Sequence, residues 1–222
     1  MEPENTSSPK SEQNSKHKNP QEDSSQEHAR DKRPKKDHDG VKSVASTISI
    51  FLIAPIIALT LTKFVFQSYQ VDGPSMETTL QNSDRLIVDK IPRTVSSITG
   101  RPYIPSRSDI IIFTSRKEND RQLIKRVVGL PGDRVIVKDG VLKIINKEHP
   151  DGYYPDKTYA YGTVITTTSG NIDLVVPENE VFVCGDNRPN SLDSRIFGTV
   201  KAEDIIAKLK LRIYPFNKAR SF

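Results

Sequence analysis

LIKRVVGLPGDRVIVKDGVLKII, residues 123 to 145, holds three apolar runs separated by turns. LIKRVV (123–128), RVIVK (134–138) and VLKII (141–145) are rich in β-branched residues, which suit a pleated and half-buried surface. Asp139-Gly140 separates the last two by two residues, the strongest short-range hairpin signal, because such a loop needs positive φ at both positions. Working outward, similar runs recur as DRLIVDKI (84–91), DIIIFT (109–114), TVITTT (163–168), IDLVV (172–176), VFVC (181–184) and IIAKLKLRIY (205–214). No long stretch after residue 66 keeps a helical period, and there is no internal repeat. The expected fold is mainly β: an antiparallel domain over residues 67–222, with 139–180 as a less regular, hairpin-containing insertion. A domain of that length can bury its own core.

Upstream, residues 44–66 read VASTISIFLIAPIIALTLTKFVF, with Lys63 as the only charge. About 20 apolar residues suffice to span a bilayer. Thirteen of these are Val, Ile, Leu or Phe, each favouring insertion by about 0.3 to 0.6 kcal/mol near the bilayer centre. Lys63 is close enough to the end to snorkel, and Pro55 is tolerable inside a membrane helix. The run is longer than a signal-peptide apolar region of about 7 to 15 residues, and it follows a long tail. An uncleaved single-pass anchor is the expectation. Lys and Arg crowd the upstream side (Arg30, Lys32, Arg33, Lys35, Lys36, Lys42), whereas only Arg85 falls in the twenty residues after Phe66. This imbalance predicts a cytoplasmic N-terminus and an extracytoplasmic domain in the cell membrane. Residues 1–43 contain no Leu, Ile or Phe and cannot bury enough apolar surface to offset their ordering entropy, so a disordered tail is expected there.

The net charge of +5 comes from scattered basic residues interspersed with acidic ones. No basic helix or aromatic-basic interleaving marks a nucleic-acid partner. Cys184 is the sole cysteine; it excludes an internal disulfide and reads as a small buried strand residue. No His-Cys cluster has metal spacing. The four histidines are His17, His28 and His38 ahead of the apolar run, and His149 in the turn-like KEHPDG. None is well placed as a catalytic base.

Three stretches remain: GPSMETTL (73–80), IKRVVGLPGD (124–133) and GDNRPNSLDSRIFG (185–198). Each alone reads blandly, as a turn, an ordinary strand with a solvated lysine, and a polar loop held by an ion pair. Together, in this order and behind an apolar anchor, they resemble the type I signal peptidases, membrane-bound serine proteases with a Ser-Lys dyad. The resemblance runs over roughly residues 44 to 216. It implies Ser75 as nucleophile and Lys125 as general base, with no cofactor. It makes Ser191 the serine that hydrogen-bonds the lysine, and Asp193 with Arg195 a bracing pair. Three positions depart from the family pattern: Thr78 replaces a usual proline, Pro189 occupies a position that is often polar, and Gly73 stands where some members carry an oxyanion-hole serine. Backbone N–H groups, that of Ser75 included, would have to serve instead.

Elementary chemistry agrees. A serine hydroxyl becomes nucleophilic when a base about 3 Å away takes its proton. Lysine qualifies only when neutral, and at a pKa of about 10.4 only about 0.1% is neutral near pH 7.5. Burial in the apolar strand around Lys125 would lower that pKa, giving a Ser-Lys variant of the triad. The implied partners are membrane lipid and the signal peptides of preproteins emerging from export. An extended substrate would add as a strand beside residues 122–125 and Val71. Shallow pockets of Val71, Met76, Leu123 and Ile124 would admit small side chains and give an Ala-x-Ala preference. Rival readings are a degenerate relative that assists assembly of surface structures, a soluble repressor-type autoprotease, and an anchored binding domain. The retained Ser75 and Lys125, the apolar anchor and the three motifs respectively argue against them.

Overall fold

The computed structural model describes residues 38–77, 79–158, 165 and 167–222. The chain divides into two units, Met1–Ala45 and Ser46–Phe222. Most of the expected disordered tail, residues 1–37, lies outside the described residues. Helix α1 covers His38–Phe64, and its Ser46–Phe64 portion is long and apolar enough to cross a membrane. It takes in residues 38–43, which composition assigned to the tail, because extending an existing helix adds a hydrogen bond per residue with no new nucleus. At the other end α1 stops two residues short of the expected 66. Val65 closes the last turn on Leu61 O, at 2.9 Å, and Phe66 already belongs to a strand.

The remainder is mainly antiparallel β. The larger sheet has the order β1-β2-β10-β3-β4-β8-β9, with β11 added to β10. Its strands are β1 (Phe66–Gln70), β2 (Arg85–Asp89), β3 (Ile110–Ser115), β4 (Arg121–Gly129), β8 (Glu180–Cys184), β9 (Val200–Lys201), β10 (Ile205–Tyr214) and β11 (Arg220–Ser221). The smaller sheet has the order β6-β5-β7, from β5 (Arg134–Lys138), β6 (Val141–Ile145) and β7 (Ile172–Val175). Asp139 and Gly140, at φ +51° and +77°, make the β5–β6 turn, as the positive-φ loop requires. The second sheet therefore begins at Arg134, ahead of the insertion boundary drawn at residue 139, since β5 pairs with both β6 and β7. Of the expected run 163–168, residues 165, 167 and 168 lie in no strand, and 163, 164 and 166 are outside the described residues.

Alternation places apolar side chains in three buried clusters. One joins Val71, Met76 and Leu80 to Leu86, Val88, Ile110, Ile112 and Leu209. A second gathers Ile111, Phe113, Val127, Val181, Val183 and Ile205. The third packs the small sheet, through Val135, Val137, Leu142 and Ile144, against Val128, Phe182 and Cys184. Among the described residues there are three further α-helices, all short: α2 (Ile91–Thr99), α3 (Pro155–Thr158) and α4 (Ser194–Phe197). Sequence reading found no helix at α2. Its nine residues, IPRTVSSIT, are too few for periodicity to register and include β-branched types of low helix propensity.

Candidate active site

The segment after β1 is built to hold one residue still. Val71 N–H donates to Asp84 O (2.9 Å) and Ser83 N–H returns a bond to Val71 O (2.8 Å), closing a loop around residues 72–82. Gly73 turns the chain at φ +93°, a conformation that a side chain rarely tolerates, and its N–H donates to Asn82 Oδ1. Met76 and Leu80, both fully buried, fix the loop to the core. Between them and the turn stands Ser75. The third motif clamps it from the far side: Asn187 N–H donates to Ser75 O, and Asn187 Nδ2 to Pro74 O, both at 3.1 Å. Gly185 makes this approach possible. A Cβ there would lie 2.4 Å from Ser75 O and 2.2 Å from Ser191 Oγ.

Lys125 enters from β4, opposite Ile111 in β3. Its side chain reaches Ser75, with Nζ hydrogen-bonded to Oγ at 2.8 Å and to Ile124 O at 3.0 Å. The residue is only 3% exposed. Burial pushes its pKa down from the usual 10.5 to about 8, against opposing pulls from Asp193, Cys184 and Asp186. Desolvation disfavours the ammonium. At that pKa roughly a quarter of the amine is neutral at pH 7.5.

The carboxylates nearest the pair, Asp186 and Asp193, are each bonded to an arginine. Asp193, fully buried, accepts from Arg195 Nε and Nη2 (both 2.8 Å), and from Gly185 N–H (3.0 Å). Arg195 also donates to Arg188 O and Ser169 O, so the expected bracing pair spans three loop segments. Asp186 is taken by Arg126. Arg188, which sequence reading passed over, pairs with Asp156 from the small-sheet region (2.8 Å) and donates to Gly185 O. No motif spacing announces the Arg126–Asp186 and Arg188–Asp156 pairs, since each joins segments far apart in the chain. The expectation for Ser191 is corrected. Its Oγ is buried beside Gly185 but makes no hydrogen bond, with Lys125 or any other group among the described residues.

Beside Ser75 lies a cleft of about 140 Å³ between Tyr69–Asp72 on one side and Arg121–Lys125 on the other, floored by Leu86 and Ile112. Both walls are strand edges. β1 pairs only with β2, and β4 meets β8 only from Arg126 onward, so residues 121–125 keep one edge unpaired among the described residues. Val71, Leu123 and Ile124 line the cleft. Met76 does not: it is wholly buried in the core, because the turn at Gly73-Pro74 points it inward as an anchor for the loop. Among the described residues no group of His, Cys, Asp or Glu is placed to hold a metal. His149 is exposed and stacks on Tyr153, on the small sheet. Cys184 is buried, and that burial raises its thiol pKa, which leaves it unreactive.

A family model described as "Signal peptidase, peptidase S26" matches residues 44–214. The chain is 35% identical over 175 residues to signal peptidase I of Bacillus caldolyticus, covering 76% of this chain and 90% of that protein. It is 34% identical to signal peptidase I U of Bacillus subtilis, covering 78% and 88%. A solved signal peptidase I from Enterococcus faecalis is 34% identical, with a TM-score of 0.36, and covers 48% of this chain and 97% of that one. The matched span takes in all three motifs and both ends of the Ser75–Lys125 hydrogen bond, and the chain belongs to the signal peptidase, peptidase S26 family.

Proposed function

We propose that this protein is a membrane-anchored serine endopeptidase that removes signal peptides from exported preproteins, with Ser75 as nucleophile and Lys125 as general base. The 2.8 Å contact between Lys125 Nζ and Ser75 Oγ in an almost dry site carries this reading. Neutral Lys125 takes the Ser75 proton as Oγ attacks the scissile carbonyl. The Ser75 N–H faces the developing oxyanion, since Gly73 offers no hydroxyl. The resulting ammonium protonates the leaving amine, and an acyl-enzyme remains on Ser75. Lys125, neutral again, then takes a proton from the water that attacks the ester, and returns it to Ser75 Oγ as the ester C–O bond breaks.

An extended substrate fills the cleft as an added strand, hydrogen-bonding the free edges at Tyr69–Asp72 and Arg121–Lys125. Alternate side chains then point inward, so the residues one and three before the cut meet Val71, Leu123 and Ile124. The small cleft favours alanine at both. Ser75 lies nine positions past Phe66, which keeps the site near the membrane face where α1 emerges, outside the cell by the Lys and Arg imbalance.

The test is processing of a purified preprotein. Ser75→Ala and Lys125→Arg should each reduce kcat by about 10⁴-fold or more, because a dyad fails as a unit and guanidinium stays protonated. Both variants should retain the wild-type circular dichroism spectrum. Substantial cleavage by Ser75→Ala protein would sink the assignment.

A further inference from the structure

β1 leaves the end of α1 and β2 returns to it, with Asp89 paired opposite Phe66. Helix α2 therefore starts at the level where the apolar span ends. Two hydrogen bonds tie it there. Lys90 N–H donates to Val65 O, and Thr94 Oγ1 donates to Phe64 O, both at 2.8 Å. The helix is properly terminated, with proline in its first turn and Gly100 at φ +68° closing on Ser96 O. Yet it buries none of its residues. Ile91, Val95 and Ile98 are 44%, 49% and 79% exposed. Their spacing of four and three puts them on one face, while Arg93, Ser96 and Ser97 occupy the other. Phe64 and Phe66, at the end of the span, are each 43% exposed as well. Segment 90–101 carries Lys90, Arg93 and Arg101 and no acidic residue.

We propose that α2 is an interfacial helix that lies on the bilayer surface, with Ile91, Val95 and Ile98 among the lipid acyl chains and the three basic residues at anionic headgroups. The chemistry matches what such helices need: an apolar face, a basic polar face and modest overall hydrophobicity. Their apolar side typically sits about 5 to 10 Å into the headgroup boundary. A flexible stalk would let the catalytic domain tumble above the membrane. A second contact beside the anchor instead fixes the height and tilt of β1, and with it one wall of the cleft. The proposal rests on the reading of α1 as a membrane span, and the test separates the two.

The full chain is reconstituted in phosphatidylcholine–phosphatidylglycerol vesicles containing lipid with a nitroxide high on the acyl chain. A fluorophore is attached at one introduced cysteine: Ile98→Cys, Ser97→Cys on the polar face, Glu148→Cys on the small sheet, or Phe51→Cys inside α1. Cys184 is buried and stays unlabelled. Quenching at position 98 should exceed that at 148 by about threefold or more, with position 97 between them, as expected for a helix lying in the interface. Equal quenching at 98 and 148, with position 51 strongly quenched, overturns the α2 proposal and leaves the anchor intact. Shielding of position 98 from aqueous iodide without lipid quenching also overturns it, since a protein surface would then cover the face. No quenching at position 51 removes the anchor reading, and this proposal with it.

Discussion

Arg126 and Asp186 form a two-pronged buried ion pair, Nε to Oδ1 at 2.8 Å and Nη2 to Oδ2 at 2.5 Å, one residue along β4 from Lys125. Two adjacent cations on one strand thus have opposite fates. Arg126 meets a carboxylate, a backbone carbonyl at Ser108 and the Thr79 hydroxyl. Among the described residues Lys125 meets only neutral oxygens, those of Ser75 and Ile124. The nearby carboxylates that would hold its proton, Asp186 and Asp193, are each already neutralised by an arginine. Burial of Lys125 then outweighs the pulls that Asp193, Cys184 and Asp186 still exert on its proton. The arginines keep the lysine deprotonatable without touching it.

The dry lysine should cost stability. Its folded pKa, about 8, lies below the unfolded value of 10.5. Below pH 8 the folded state must hold a charge that the unfolded state holds more easily, a penalty of up to about 3 kcal/mol. Between pH 8 and 10.5 the unfolded chain binds more protons, so stability rises with pH and the penalty fades. Lys125→Met should therefore melt higher than the native protein at pH 7, and the gap should narrow by pH 10. Denaturant titrations at both pH values check this, and a destabilised methionine variant at pH 7 would contradict it.

Much of this was legible in residue order, for reasons that also explain the misses. The β5–β6 hairpin follows from Asp139-Gly140 because turn chemistry is local, and both strands fall at the expected residues. Ser75 and Lys125 are legible only as members of separated motifs, since nothing local brings a loop to a strand fifty residues on. β1 was hidden because FQSYQ is an edge strand with alternate residues in solvent, and its opening residue continues the apolar run of α1. Met76 reads equally well as a pocket wall or a core plug. The handedness of the turn at Gly73 decides, and sequence does not carry it. Arg126, Arg188 and their carboxylates look like ordinary surface charge until the chain closes around them.

Asp193→Asn should move the pH profile of kcat/KM toward acid. The Asp193 charge is the largest pull holding up the Lys125 pKa, so its removal lowers that pKa further. The same change leaves Arg195 buried without its counter-charge, at a stability cost of about 3 to 5 kcal/mol. The profile is best taken well below the melting temperature. A shift toward alkali would refute the electrostatic account.

Ser191→Ala should behave differently from its neighbour. The hydroxyl is buried without a partner, and an unsatisfied buried polar group costs about 1 to 3 kcal/mol. Deleting it should leave stability unchanged or raise it by about 1 kcal/mol, with a milder loss of activity than at either dyad position. A destabilised alanine variant in thermal melts would mean that the hydroxyl is hydrogen-bonded in solution.

Substrate preference and pH dependence should report the same dry cleft. Activity on a peptide ending its signal region in Ala-x-Ala should rise with pH along a limb near pKa 8, the value burial gives Lys125. A histidine base would instead put that limb near 6.5. The cleft is about 140 Å³ and walled by Val71, Leu123 and Ile124 over Leu86 and Ile112. A leucine immediately before the cut cannot seat without pushing those side chains off their packed positions, which costs about 1 to 3 kcal/mol. Its kcat/KM should fall by about fivefold to a hundredfold relative to alanine, since each 1.4 kcal/mol lost from the transition state is a factor of ten. Overpacking leaves the Lys125 amine buried, so the leucine peptide should follow the same pH limb at a lower plateau. A limb that moved with the substrate would mean that the base is not shielded by the cleft walls, and equal rates for the two peptides would mean that those walls do not select.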